Sequence, residues 1–449
     1  MKQPRRILLV SSGSALYGAE QSLLHVIRKF DPAAWQPHFV IPGPGPFEQA
    51  ARDAGYPVSL FDVTVGQGQG RLSELPTVLR LAALIRRLRA DLVHLNLHFS
   101  WPIVSAACQL ARVPLVVHVR NMLGPEPHGR LNCFLFRRID GVICISDAVR
   151  RRLFESGLPG AAPTFRVHQV ADARDLSTFR GGDRTRIREE LQIAPQAPLI
   201  GMVARLERMK GQDLFLGACR LVAERLPEAR FVLVGDTMHA SQRPFQALLE
   251  ALASEPPLAG RVSFLGYRTD IPDVLAGLDC FVHSSRRGAF VSVLIEAMAA
   301  GVPIVASEVD GIPECVGRDG QAELVSTLEP AAFADAILRV VTDRERARSM
   351  STAGRERALR HFDVGPLARA TEEILGQHAL LETGNKRCLG RLARLRAMET
   401  THQLARQTEF HVPGIQPGRN FLTPLLQRGA GFERQQLKIA PHERVGDRH

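Results

Sequence analysis

Two cations five residues apart, Arg205 and Lys210, follow the apolar run Leu199 to Val203 and precede Gly211, which opens a helical stretch. A strand that feeds a helix ends at the carboxyl edge of an α/β sheet, where ligands bind. An arginine fork and a lysine point charge at that edge suit a diphosphate. Further along, a buried-strand pattern, Cys280 to His283, passes through the small-residue loop Ser284 to Phe290. It enters a helical pattern, Val291 to Ala300, that Gly301 stops before a second strand pattern, Ile304 to Ala306. The loop leaves backbone N–H groups and the positive end of a helix dipole free for a phosphate. Glu296, inside that helix, can accept hydrogen bonds from sugar hydroxyls. The combination suits a nucleotide sugar. Taken singly, each stretch also reads as an ordinary βαβ unit or a solvated charge pair.

Together the two stretches resemble the nucleotide-sugar half of glycosyltransferase family 4 (glycosyl transferases group 1). These are retaining enzymes with two facing Rossmann-like domains, the GT-B fold. Other segments follow the family's order: Gly18-Ala19-Glu20, Asp140 to Asp147, Phe231 to Asp236, Val262 to Tyr267 and Ile271 to Val282. The resemblance covers residues 5 to 378. It implies an α/β protein of two doubly wound domains with a crevice between them. Residues 1–180 would form the acceptor side and 181–362 the donor side. Residues 363–378 would form a helix crossing back, and 379–449 a basic, loosely ordered extension.

The resemblance also implies roles. Glu296 would accept the donor's ribose hydroxyls. Arg205 and Lys210 would hold the diphosphate and stabilise it as it leaves. Gly288, Ala289 and Phe290 would bring amides to a phosphate, and Gly266 and Tyr267 would lie beside the nucleobase. Gly18 would let the backbone approach a ligand, and His118 would contact the transferred sugar. By residue type alone, Gly18 reads equally well as a tight turn, and His118 reads more readily as a structural histidine. Arg120 and Asn121 fall on the acceptor side, and Ser146 and Asp147 cap the next helix.

The implied reaction moves a hexose from a UDP- or GDP-sugar to a lipid-linked or polysaccharide acceptor, in lipopolysaccharide, capsule or exopolysaccharide assembly. It needs no metal and no cofactor. The rival readings are an epimerase or hydrolase on the same fold, or a non-catalytic nucleotide-binding subunit. The non-catalytic reading draws on Gly288, one of two departures from the family pattern that bear on the sugar contacts. The family's second glutamate, eight residues before Glu296, is here Gly288, and its Asn-Gly is here Asp172-Ala173. Glu314 offers a partial substitute for the missing carboxylate.

Composition sets the class. A chain of 449 residues with 45% hydrophobic and 23% charged residues has ample core for two or three domains. No run approaches the ~20 apolar residues of a membrane span. The apolar stretch Ile7 to Val10 is too short for a signal-peptide core, so the expectation is a cytoplasmic protein, with contact at the inner face of the membrane left open. Seven scattered cysteines lack metal-type spacing and suit a reduced core. The net charge is +11, and more than half of it lies in residues 380–449, which hold 12 Lys or Arg against 6 Asp or Glu. With 6% aromatic residues and no recognisable module, nucleic acid is not an expected partner. Peripheral membrane contact has two candidates. One is Arg80, Arg86, Arg87 and Arg89 beside Leu81, Leu84, Ile85 and Leu88; the other is Arg137-Arg138 with Arg150 to Arg152. Either could equally be the solvated side of a helix whose other face is buried.

Alternating apolar runs and helical periods must position these residues. Strands are expected at Ile7–Val10, His38–Ile41, Leu92–Leu95, Leu115–Val119, Val142–Ile145 and Arg166–Val170. The second half adds Leu199–Val203, Phe231–Val234, Val262–Phe264, Cys280–His283 and Ile304–Ala306. Helices are expected between them, among them Gly18–Phe30, Thr77–Arg89, Gln212–Leu226, Pro244–Ser254 and Val291–Ala300.

Overall fold

The computed structural model describes residues 3–65, 71–96, 100–123, 130–160, 163–237 and 240–380. All of them belong to one compact unit, Met1–Arg387. The basic extension from residue 381 onward lies outside the described residues.

The first half alternates strands and helices: β1 Arg5–Ser11, α1 Gly18–Ile27, β2 Trp35–Ile41, α2 Pro46–Asp53, β3 Val58–Leu60, α3 Arg71–Arg87, β4 Leu92–Asn96, α4 Trp101–Ala111, β5 Leu115–Val119, α5 Arg130–Phe136, β6 Gly141–Cys144, α6 Asp147–Glu155 and β7 Arg166–Gln169. All its strands are parallel, in the order β3-β2-β1-β4-β5-β6-β7.

The second half repeats the plan: α7 Arg184–Glu190, β8 Leu199–Val203, α8 Gln212–Arg225, β9 Arg230–Val234, α9 Arg243–Ser254, β10 Val262–Phe264, α10 Ile271–Gly277, β11 Cys280–His283, α11 Ser292–Ala300, β12 Ile304–Ser307, α12 Ile312–Val316 and β13 Glu323–Val325. Its sheet is also parallel, in the order β10-β9-β8-β11-β12-β13. Helices α13 Pro330–Thr342, α14 Arg344–His361 and α15 Val364–Ala379 follow.

Strands buried on both faces read as continuous apolar runs. Successive residues of β1 serve opposite faces: Leu8 and Val10 join one core cluster, Ile7 and Leu9 the other. In β9, Phe231 and Leu233 face one layer while Val232 and Val234 face the other. Helix α15 does not stay with the second sheet. Its Val364, Ala368 and Leu375 pack into the first sheet's core.

Strand order reverses between β1 and β4 and again between β8 and β11. At such switch points the loops leave in opposite directions and open a crevice outside the carboxyl ends. The loops that leave β8 and β11 carry Lys210 and Gly288–Phe290.

Two expectations need adjustment. The short strands β3 and β13 were not anticipated, because three half-exposed residues at a sheet edge carry almost no periodic signal. Leu81, Leu84 and Ile85 face the core at 0–8% exposure, so they offer no apolar surface beside the arginines of α3. No helix among the described residues is long and apolar enough to cross a membrane.

Candidate active site

Lys210 ends a single turn, Arg208–Lys210, and is followed by Gly211 at φ +74°. A Cβ on Gly211 would stand 2.1 Å from the Ser284 carbonyl oxygen, so only glycine fits there. The reason for the close approach is a clamp between the β8 and β11 loops. Ser284 Oγ donates to the Gly211 carbonyl at 2.8 Å and the Arg286 amide donates to the Met209 carbonyl at 2.9 Å. Arg286 also holds Asp213 through two bonds of 2.8 and 2.9 Å. Ser284 and Ser285 are fully buried under this clamp.

The Lys210 ammonium is half-buried and makes no ion pair among the described residues. Burial lowers its pKa first, the neighbouring Arg205 charge lowers it further, and Glu207 opposes both. An unpaired cation kept in such surroundings is suited to an incoming anion. Arg205 is more exposed. It pairs with Glu207 at 2.8 Å, and its guanidinium lies 5.7 Å from the ring centre of Tyr17, which precedes α1 in the first half.

The start of α11 is open. Its capping residue, Val291, is extended and supplies no side-chain acceptor. The amides of Ala289 and Phe290 donate no hydrogen bond among the described residues. Both residues pack against the first sheet's core, and Ser146 Oγ donates to the Ala289 carbonyl at 2.8 Å. This wedge therefore sits between the two halves. Gly288 is buried, with its N–H on Asp310 Oδ2 at 3.0 Å. A Cβ there would meet two Ile312 carbons at 3.0 Å.

Glu296, four residues into α11, keeps its side chain 15% exposed. Its Oε1 accepts Arg174 Nε at 3.1 Å. Burial raises the Glu296 carboxyl pKa and Arg174 opposes the rise. Arg174 NH1 donates to the Gly18 carbonyl at 3.1 Å, and a Cβ on Gly18 would come within 3.3 Å of both Arg174 and Ser292. Gly18 opens α1, so the starts of α1 and α11 face each other across Arg174.

The remaining predicted residues lie further out or deeper. Gly266, at φ +61°, and Tyr267, 74% exposed, leave β10, two strands from β8. The Gly266 carbonyl accepts the Gly235 amide at 2.7 Å. His118 is 4% exposed on β5, its ring 5.6 Å from that of His94. Among the described residues neither ring has a hydrogen-bond partner, and burial holds the His118 pKa well below its usual value. Arg120, the residue after that strand, is tied to Asn96 at 2.8 Å and to Asp172. Ser146 caps α6 through the Val149 amide at 3.2 Å. Glu314 is committed elsewhere: it accepts the amides of Asp147 and Ala148 at 2.6 and 2.7 Å. Arg174, Tyr17 and Asp310 were not singled out from the sequence. No period or motif marks a lone arginine, tyrosine or aspartate in a loop.

A sequence model of the glycosyl transferases group 1 matches residues 183–357, and one of the glycosyl transferase 4-like domain matches 17–171. The chain is 29% identical over 243 residues to the lipopolysaccharide core biosynthesis mannosyltransferase LpsB of Rhizobium meliloti, covering 54% of this chain and 66% of that protein. It is 30% identical over 308 residues to the D-inositol 3-phosphate glycosyltransferase of Nocardia farcinica, covering 64% and 66%. The chain thus spans about two thirds of the length of these relatives. Among solved structures, the Anabaena protein HepE in complex with UDP superposes with a TM-score of 0.73 at 24% identity, covering 83% of this chain and all of that one. The same fold with UDP-glucose gives 0.72. With two parallel sheets whose carboxyl-edge loops touch, and with both halves matched in order, the chain belongs to the glycosyl transferases group 1, a GT4-type family of GT-B glycosyltransferases.

Proposed function

We propose that this glycosyltransferase moves a hexose from a UDP- or GDP-sugar, with retention and without a metal, to a lipid-linked or polysaccharide acceptor. The observation that carries the reading is Lys210, clamped by the Gly211–Ser284 contact and unpaired, on the same sheet edge as the open start of α11. In this reading Lys210 and Arg205 hold the diphosphate, and the amides of Ala289 and Phe290 bind its second phosphate. Glu296 accepts the ribose hydroxyls with the oxygen that Arg174 leaves free. Gly266 and Tyr267 lie beside the base. Gly18 brings the start of α1 up to the donor, and His118 forms the floor beneath the transferred sugar.

The bond from the anomeric carbon to the diphosphate oxygen breaks while the acceptor hydroxyl attacks from the same face. The hydroxyl proton passes to the departing diphosphate, whose growing charge Lys210 and Arg205 stabilise. LpsB is named for lipopolysaccharide core biosynthesis, and the Anabaena structures hold UDP and UDP-glucose. These support a sugar-nucleotide donor and a cell-envelope polysaccharide acceptor. Contact with a membrane would use α3, where Leu72, Leu75 and Leu79 are 89%, 49% and 53% exposed beside Arg80.

Calorimetric titration of UDP and GDP without metal tests the donor site. One nucleotide should bind, and Lys210→Ala and Glu296→Ala should each weaken it tenfold or more, about 1.4 kcal/mol. No binding of either nucleotide would refute the donor site. Release of nucleoside diphosphate from a bound sugar nucleotide without an acceptor would point to a hydrolase. Tight binding with no transfer would point to a non-catalytic subunit.

A further inference from the structure

Asp310 stands between β12 and α12, on the carboxyl edge that also carries Lys210 and the start of α11. Its backbone is in the left-handed region, at φ +47°. Aspartate is among the few residues that visit that region, because its short side chain can hydrogen-bond nearby backbone. One carboxylate oxygen, Oδ2, accepts the Gly288 amide at 3.0 Å. The next amide, of Gly311, donates back to the Gly288 carbonyl at 2.9 Å, so positions 288 and 310 are pinned side by side. The Gly288 amide is the one hydrogen-bond partner of Asp310 among the described residues, and the side chain is exposed. A carboxylate offers about four acceptor positions, so most of them face outward.

The turn lies where the two halves touch. A Cβ on Gly311 would stand 2.0 Å from the Ala289 carbonyl oxygen and 3.1 Å from Ser146 Oγ of the first half. Asp310 is therefore one residue from the seam where the halves meet and next to the loop that starts α11. An anion in that place repels a diphosphate, but it accepts strong hydrogen bonds from a polyol. Position 288 itself cannot carry a long side chain without moving Ile312, whose carbons lie 3.0 Å from the Cβ site.

We propose that Asp310 accepts hydroxyls of the transferred sugar and helps to choose that sugar. The inference rests on the donor site proposed above and extends it from the nucleotide to the hexose. Ile312 fills the space behind Gly288, and the acceptor carboxylate comes from across the turn.

The test is calorimetry on the full chain with matched probes: UDP against UDP-glucose, and GDP against GDP-mannose. Asp310→Gly is the informative variant, because glycine suits φ +47° and keeps the turn. In the wild type, one sugar nucleotide should bind more tightly than its bare nucleotide. Asp310→Gly should leave the bare nucleotide within twofold and weaken the sugar nucleotide tenfold or more. Equal weakening of both probes, no weakening, or no sugar-dependent gain in the wild type would overturn it. If Lys210→Ala leaves nucleotide binding unchanged, the donor site fails and this inference fails with it. If Lys210→Ala weakens binding while Asp310→Gly keeps the sugar preference, only this inference fails.

Discussion

Arg174→Met should destabilise the protein by an amount that grows with pH. Arg174 and Glu296 form an ion pair at 3.1 Å, with side chains 3% and 15% exposed. Arg174 is also fixed by its backbone: its amide donates to the Phe362 carbonyl at 3.1 Å and its carbonyl accepts the Val364 amide at 3.0 Å. Methionine keeps much of the buried stem but leaves Glu296 without a counter-charge. Removing one partner of a buried pair costs about 3–5 kcal/mol if the other stays ionised. Glu296 limits that cost by taking a proton, at about 1.4 kcal/mol for each unit between the pH and its pKa. Because burial already raises this pKa, the net loss near neutral pH should be about 2–3 kcal/mol.

The sign of the pH dependence follows from Glu296. Its folded pKa lies above the unfolded value of 4.5. Such a carboxyl favours the folded state least once the pH exceeds the folded pKa, where the buried form must ionise. Arg174 offsets that penalty, and without it the folded pKa rises further. Near the pair lie Arg120, which opposes Arg174, and His25 of α1, which burial and Arg174 hold down at about 4 and so keep neutral over this range. On α14, which packs along α11, Arg355 binds the Ala300 carbonyl at the far end of the helix. The deficit of Arg174→Met should thus be small near pH ~5 and largest near pH ~8. Urea denaturation of wild type and variant across that range measures it. A deficit that stays constant, or shrinks as pH rises, would refute the account.

Three further outcomes follow. Gly211→Ala should cost at least about 3 kcal/mol, from the left-handed backbone and the clash with Ser284, and should weaken nucleotide binding; a wild-type melting temperature would contradict this. His94 and His283 are held neutral by burial, with pKa values pushed down to about 3. Their contribution is present above the unfolded value of 6.5 and is lost as pH falls toward the folded value, at up to ~1.4 kcal/mol per unit for each. Stability that does not change between pH ~7 and ~5 would count against that. Glu314→Gln should cost about 1 kcal/mol, because the charge on the α6 amides is lost; unchanged denaturation midpoints would show that the cap contributes nothing.

Much of the fold was legible because buried parallel strands write themselves as unbroken apolar runs. Leu199–Val203 and Leu115–Val119 coincide with β8 and β5 residue for residue. Edge strands escape because β3 and β13 are short and half-exposed. Helix ends were less secure: α3 starts at Arg71, earlier than its apolar period suggests, with Pro76 inside it.

At the candidate site, the sequence by itself determined residue types and their order along each strand–loop–helix unit. It placed Arg205 and Lys210 after one strand and Glu296 inside the helix after another, since those relations are local. Only the tertiary structure decided who faces whom. It set Arg174 on Glu296, buried His118 against His94, spent Glu314 on the start of α6 and laid Asp310 against Gly288. Those pairs join segments far apart in the chain. Their partners are chosen by how two sheets and their loops pack, and no local pattern of residues encodes that packing.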